Sequence, residues 1–338
     1  MEERRIRIVL DAMGGDNAPV STIEGAVDAL KEKDGFELVL VGREEAIKAE
    51  LAKYDYPKDR IEIRHAEEVI EMCEAPAAAI HNKKDSSIVV GMKMIRKGEA
   101  DAFVSAGSTG AVLVGGQILV GRLKGVERPP LACLVPTEKG MACMIDCGAN
   151  VDARPSWLVQ FARMGSVYMK DFMKVENPRV GILNIGAEEE KGNSLVKETF
   201  PLLKACSDIN FIGSVEARDI PGGYADVIVT DAFSGNVALK MYEGTASTLL
   251  KVVKGSMMTS LKTKIGALLI KDALKSTMKK YDATAYGGAP LLGLNGLVVK
   301  THGSSKAKEI RISILQCLTF CEERINDKIK DLFVADKA

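Results

Sequence analysis

Histidine and tryptophan are scarce in this sequence, and net charge is absent from it. The 338 residues include three histidines and one tryptophan, and lysine plus arginine equals aspartate plus glutamate at 46 each. Nothing global draws such a chain to nucleic acid, so a charged partner has to be met by a local patch. The seven cysteines are odd in number and show no paired spacing, which argues against a disulfide framework. Cys317 and Cys321 lie four apart on an expected helix, with no second pair or histidine cluster beside them, and read as core packing rather than a zinc site. No uninterrupted apolar run approaches the roughly 20 residues of a membrane span. The opening "MEERRIRIVLDAMGG" lacks the apolar segment of roughly 7–15 residues and the cleavage site of a signal peptide. The expectation is an intracellular protein, soluble or at most peripheral to a membrane. Two nucleotide fingerprints are missing too. The loop "SAGSTG" has no lysine after its last glycine, and the G-x-G-x-x-G spacing of a dinucleotide site does not occur there.

What is present is 46% hydrophobic and 27% charged, enough to bury a large core in one domain or two lobes. Strand-like runs at 5–12, 36–42, 60–66, 101–107, 131–137, 140–148, 179–186, 209–215, 225–232 and 296–303 alternate with amphipathic segments at 20–33, 44–53, 84–97, 154–172 and 191–206. That alternation predicts an α/β fold with three αβα layers and a mostly parallel sheet. The expected organisation is a single α/β domain, 1–338, from which a helical hairpin at 237–281 protrudes.

Six of the strands end in polar, glycine-rich turns: "DAMGGDNAP" (11–19), "SAGSTGA" (105–111), "DCGAN" (146–150), "NIGAEEEKGN" (184–193), "TDAFSGN" (230–236) and "THGSS" (301–305). Ligands of open α/β sheets bind beyond the carboxyl ends of the strands, so these turns are expected to gather on one edge and wall one crevice. One glycine turn is a simple chain reversal in most proteins; six together favour a site. Small hydroxyl-rich loops let backbone N–H groups approach an anion. The stretch 251–280 stands apart, with eight lysines and one acid, Asp272. Its apolar positions fall on helical stripes, and Ser260–Gly266 reads as the turn between two helices. It has three readings: dimer core, dock for an acidic partner, or a basic amphipathic element for an anionic bilayer surface.

Five motifs in order, "IVLDAMGGDNAP", "VSAGSTGA", "NIGAEEEKGN", "VIVTDAFSGNVALK" and "YGGAPLLGLNGLVVKTHGSS" (286–305), resemble the PlsX-type phosphate acyltransferases over nearly the whole chain. The resemblance implies transfer of a fatty acyl group from acyl carrier protein to inorganic phosphate, giving acyl phosphate for phospholipid synthesis. It implies a fold similar to the isocitrate and isopropylmalate dehydrogenases and the phosphotransacetylases, without a nicotinamide cofactor, in a homodimer; no cofactor and no metal ligand is assigned. It also implies a cytoplasmic enzyme lying against the inner face of the cell membrane, where a membrane glycerol-phosphate acyltransferase uses the product. The chain departs from the family at Ser108, usually asparagine, and at Ala232 and Ser234, usually glycine and threonine. With Ala232 in place of glycine, that turn has to avoid positive φ.

The chemistry needs phosphate taken from water and set beside a thioester carbonyl. Positioning of this kind is worth roughly 7–11 kcal/mol of barrier. Each fixed donor to the tetrahedral oxyanion is worth about 2.7–4 kcal/mol. Gly107, Ser108, Thr109 and Gly110 are expected to supply phosphate donors, aided by the start of the following helix. Lys191 carries an anion-facing role by the family pattern. His302 either donates to the oxyanion, protonates the leaving thiolate, or is a hydrogen-bonded structural residue. Asp11 and Asp16 are expected to hold their turn and cap the next helix rather than bind a divalent ion. Asp146 with Asn150 and Asp231 with Asn236 offer the same choice, and Asn236 is expected to be the direct ligand of the "TDAFSGN" turn, with an amide able to donate to acyl or phosphate oxygen. The catalytic candidates are thus Lys191, Asn236 and His302. The remaining substrate set is Asp11, Gly14, Gly15, Ser105, Asn150, Asn184, Gly186, Gly192, Asp231, Ser234, Gly235, Gly287, Gly288, Gly303 and Ser304. Leu261, Ile265, Leu268, Leu269 and Ile270 are the membrane-facing candidates. Cys147 has no activating neighbour in sequence, so it reads as a buried small side chain and phosphate attacks directly. The competing readings are a short-chain phosphotransacetylase or dehydrogenase on the same fold, and a non-catalytic carrier-protein scaffold.

Overall fold

Strands buried on both faces need near-continuous apolar runs, and "IRIVLD" supplies one. It forms β1 (Ile6–Asp11), in which Ile8, Val9 and Leu10 are fully buried. The structure, a computed structural model, describes residues 4–335. The further strands are β2 (Phe36–Gly42), β3 (Ile61–His65), β4 (Ala102–Ser105), β5 (Ala132–Thr137), β6 (Gly140–Ile145), β7 (Arg179–Asn184), β8 (Asn210–Glu216), β9 (Val227–Val229), β10 (Ala289–Leu291) and β11 (Leu297–Lys300). Each of the expected strands forms. The short β10, which carries Pro290 and no periodic pattern, is additional, as is a helix at Pro76–Asn82.

The sheet is not one but two. One has six strands in the order β10-β11-β4-β1-β2-β3, the other five in the order β5-β6-β9-β7-β8. The chain divides correspondingly into two compact units. The first comprises the chain up to Cys133, Val167–Glu176 and the chain from Thr284 on; the second comprises Leu134–Ser166 and Asn177–Ala283.

In the first unit β1 pairs parallel with β2 and β4, β2 with β3, and β4 with β11; β10 runs antiparallel to β11. The helices Val20–Glu32 and Ala307–Glu322 pack against one another, and Ile23, Ala26, Val27, Ile310 and Ile314 are buried. In the second unit β6, β9, β7 and β8 run parallel in that order. Arg179 at the start of β7 grips Asp226 with Nε and Nη2 at 3.0 and 2.9 Å, fastening the feet of β7 and β9 together. Burial alone would raise the Asp226 carboxyl, but the Arg179 hydrogen bonds outweigh it and hold it below its ordinary value.

The lysine-rich stretch lies in two helices, Ala232–Met257 and Leu261–Lys280. The first begins five residues earlier than expected, inside the "TDAFSGN" turn. The break is at 258–260 rather than Ser260–Gly266, because Ser260 is an N-cap. Its hydroxyl accepts from the Thr263 N–H at 3.2 Å, while Thr263 Oγ1 accepts from the Ser260 N–H at 3.1 Å. Gly266 is therefore helical. Tyr242 anchors the first helix by donating to the Pro136 carbonyl at 2.6 Å. Beyond it the apolar side chains are exposed, Leu268 to 69% and Leu269 to 81%.

Candidate active site

The six turns resolve into two sets of three. In the first unit they follow β1, β4 and β11, which are adjacent and parallel. From β1 the strand order runs one way to β2 and β3 and the other way to β4 and β11, the switch point at which open α/β sheets bind ligands. Backbone bonds stitch the turns together. The Asp16 N–H donates to the Gly303 carbonyl at 2.8 Å, the Thr301 N–H donates to Ser105 O at 3.0 Å, and Asn17 Nδ2 donates to Ser304 O and Ser305 O at 3.2 Å.

Asp11 is the buried hub of this edge. It accepts from Ser105 Oγ at 2.6 Å and from the Met13 N–H at 3.1 Å, and Ser105 Oγ accepts in turn from the Gly107 N–H at 3.0 Å. Desolvation pushes the Asp11 carboxyl above its ordinary value, against the pull of these donors. Gly14 lies so close that a side chain there would collide with the Asp11 carboxylate and with the Gly107 N–H. The expected turn-holding role of Asp11 is what the geometry displays. The expected helix cap is not: the cap of Val20–Glu32 is Pro19, without a side-chain bond, and Asp16 is exposed.

Ser108 is buried as the N-cap of Thr109–Gly115, where Oγ accepts from the Ala111 N–H at 3.4 Å; Thr109 is exposed and Gly110 half-buried. His302 is exposed. Its Nδ1 accepts from the Ser304 N–H at 3.3 Å and lies 2.7 Å from Ser304 Oγ, so the neutral ring carries its proton on Nε2. Gly15 and Gly303 complete the edge. Gly287 and Gly288 precede β10, and Gly288 exchanges hydrogen bonds with the Gln316 amide at 2.8 and 3.0 Å.

One residue of this edge escapes the sequence reading. Lys300, at the end of β11, is buried, with Nζ 3.4 Å from the Ala106 carbonyl and in contact with the Thr301 carbonyl. The signal was a lysine closing an apolar run, "GLVVK", where a solvated residue would be ordinary.

In the second unit the turns follow β6, β9 and β7, again adjacent and parallel. Asp146 is fully buried and holds "DCGAN" closed. Its Oδ1 accepts from the Gly148 and Ala149 N–H groups at 3.0 Å, and its Oδ2 from the Asn150 N–H and Nδ2 at 2.8 and 2.7 Å. The amide of Asn150 is thus committed to Asp146. Asp231 caps Ala232–Met257, accepting from the Ser234 N–H at 2.8 Å. Ala232 opens the helix and has no positive φ, as its replacement of glycine requires. Gly235 sits where any side chain would strike the Asp146 carbonyl. Asn236 is inside the helix rather than in a loop, and its Nδ2 donates to Cys147 O at 2.9 Å.

Asn184 secures the third turn. Its Nδ2 donates to Lys191 O at 3.2 Å and to Ser214 Oγ at 3.0 Å. Lys191 lies before the helix Ser194–Ala205, whose N-cap is Asn193, and not at the helix start itself. Its side chain is half exposed, with Nζ 3.7 Å from Glu188 Oε1. Gly186 is buried and Gly192 half-buried in the same turn. Cys147 is buried, with Sγ 3.3 Å from Met144 O. Burial also pushes the Cys321 thiol up to about 12. Among the described residues no group of three or more His, Cys, Asp or Glu is arranged to hold a metal ion.

The fold is that of phosphotransacetylases. The Streptococcus pyogenes phosphotransacetylase matches with a TM-score of 0.63 at 18% identity, and EutD phosphotransacetylase from Staphylococcus aureus with 0.59 at 16%; in both cases 94% of each chain is covered. Sequence narrows the class. Residues 6–328 match the family described as fatty acid synthesis protein, and the chain belongs to that family. Its relatives include the phosphate acyltransferase of Clostridium botulinum (strain Alaska E43 / Type E3), 50% identical over 329 residues, covering 97% of this chain and 99% of that protein. The phosphate acyltransferase of Alkaliphilus oremlandii (strain OhILAs) is 49% identical over 326 residues, 96% of this chain and 97% of that one.

Proposed function

We propose that this chain is a phosphate acyltransferase that moves a fatty acyl group from acyl carrier protein to inorganic phosphate by direct attack on the thioester. The observation that carries the reading is 50% identity, over 97% of the chain, with a relative of that name. The chemistry calls for N–H groups, hydroxyls and cations to hold a dianion and a developing oxyanion, and the turns offer these beside the carboxylates of Asp11 and Asp231 that hold them in shape. In the first unit, the turns at Gly14–Gly15, Gly107–Gly110 and His302–Ser304 hold phosphate, and His302 presents Nε2–H as a donor. In the second, Lys191 offers a cation at its own turn, while Asn184 and Asp231 hold their turns in shape. Cys147 stays chemically silent, its thiol buried with Sγ 3.3 Å from Met144 O.

The same reading places the apolar faces of Leu261, Ile265, Leu268, Leu269 and Ile270 on an anionic membrane surface, in an enzyme that works as a homodimer. A lysine-rich helix with exposed apolar side chains has the composition of an interfacial element. Among the described residues no helix is long and apolar enough to cross a membrane.

The test is a reaction of the purified protein with long-chain acyl-acyl carrier protein and phosphate. Acyl phosphate forms and the carrier thiol appears only when phosphate is supplied, and acetyl-coenzyme A is a poor donor. Carrier thiol released without phosphate, or faster turnover of the acetyl donor, would sink the reading.

A further inference from the structure

Among the described residues Lys300 is the one buried lysine, exposed to 7%. No charged side chain lies within salt-bridge distance of its Nζ in the described set, and the groups it contacts are main-chain carbonyls from two turns, Ala106 and Thr301. A trans peptide holds its C=O and N–H in opposite directions. A carbonyl turned onto the ammonium therefore turns the next N–H away from it. For Ala106 that is the N–H of Gly107, which meets Ser105 Oγ at 3.0 Å; for Thr301 it is the N–H of His302. We propose that Lys300 is a positioning residue of the first unit's turns, whose charged ammonium draws in the Ala106 and Thr301 carbonyls and so fixes the Gly107 N–H on Ser105 Oγ and sets the His302 N–H to receive phosphate. This rests on the phosphate acyltransferase reading.

The charge is held at a cost. Burial brings the Lys300 amine down from 10.5 to about 8, and the carboxylates of Asp11 and Asp16, on the turn after β1, are the charged groups that oppose the fall. Below about pH 8 the amine is protonated in the folded and unfolded chain alike, and the folded state bears the full burden of a buried cation. Between about 8 and 10.5 the unfolded chain binds the proton and the folded chain does not, so this group's contribution to stability rises with pH. A lysine that weakens the fold where it is charged is not explained by fold stability.

The test pairs wild type with Lys300→Met, using two readouts across a pH series: kcat/KM for phosphate, and the rise in melting temperature that inorganic phosphate produces. In wild type both are expected to fall as pH rises through about 8, where the Lys300 amine loses its proton. Lys300→Met is expected to melt no lower than wild type at neutral pH, to lose about 100-fold in kcat/KM, the scale of a displaced substrate, and to show no alkaline fall. Wild-type phosphate kinetics in the variant, or an unchanged alkaline limb, overturns the proposal. If Lys300→Met does not fold, Lys300→Arg decides, since its charge persists throughout the series. Loss of the limb supports the proposal, and a limb unchanged, or absent from wild type, overturns it. Should wild type transfer no acyl group while phosphate still raises its melting temperature in a Lys300-dependent way, the acyltransferase reading falls and the positioning role stands. Acyl transfer with phosphate effects indifferent to Lys300 is the reverse.

Discussion

Asp11 in the first unit and Asp146 in the second each accept hydrogen bonds from N–H groups of their own turns. Asp146 accepts four hydrogen bonds within "DCGAN", so Asp146→Ala leaves the buried Asn150 donors without their partner. A buried donor left unpaired costs about 1–3 kcal/mol; a lowered melting temperature is expected, partly restored in Asp146→Asn. Lys191 is the opposite kind of residue, half exposed and beside Glu188. Its replacement by alanine removes one charge-assisted contact, worth about 1.5–3 kcal/mol, without disturbing the fold. A rise of roughly 10- to 100-fold in the phosphate KM, or an equal loss of kcat, is the expected result, and wild-type phosphate kinetics would remove Lys191 from the site. Cys147→Ala should keep most of the activity; a trapped acyl-enzyme on wild type, with turnover lost in the variant, would mean a covalent route instead.

The helices Ala232–Met257 and Leu261–Lys280 differ from the others in how little they bury. Of the first helix only Ala232 and Gly235 are buried, both in its first turn, and Tyr242 supplies a hydrogen bond to Pro136. The remainder exposes Leu249, Val252, Leu261, Ile265, Leu268 and Leu269 beside the lysines of 251–280. Near an anionic surface each lysine adds roughly 1 kcal/mol, weakened by salt. Apolar insertion has to supply the rest. Leu268→Glu should therefore abolish co-sedimentation with anionic vesicles while leaving acyl transfer in solution near normal. Loss of activity and of dimerisation together would identify the stripe as dimer core, and unchanged vesicle binding would show that this face does not meet the lipid.

For the whole molecule, ligand binding to the folded state alone raises stability, by about 2.7 kcal/mol at a hundredfold excess over Kd. Phosphate should raise the melting temperature and NAD should not; the opposite pattern would favour a dehydrogenase-like reading. The ten strands anticipated from apolar runs all form, because a strand buried on both faces announces itself locally. The five motifs likewise carried the family, and every candidate residue in the six turns lies between the end of a strand and the first turns of the helix that follows. The sequence by itself did not determine that the strands divide between two sheets, nor that the turns fall three and three on adjacent strands. Strand partners are chosen by packing between segments distant in sequence: β11 lies beside β4, and β9 inserts between β6 and β7. Nor did it mark Lys300, which as a residue type belongs in solvent. Only the tertiary structure seals its amine among the turns after β1, β4 and β11, and the desolvation that lowers its pKa exists only once those strands are neighbours.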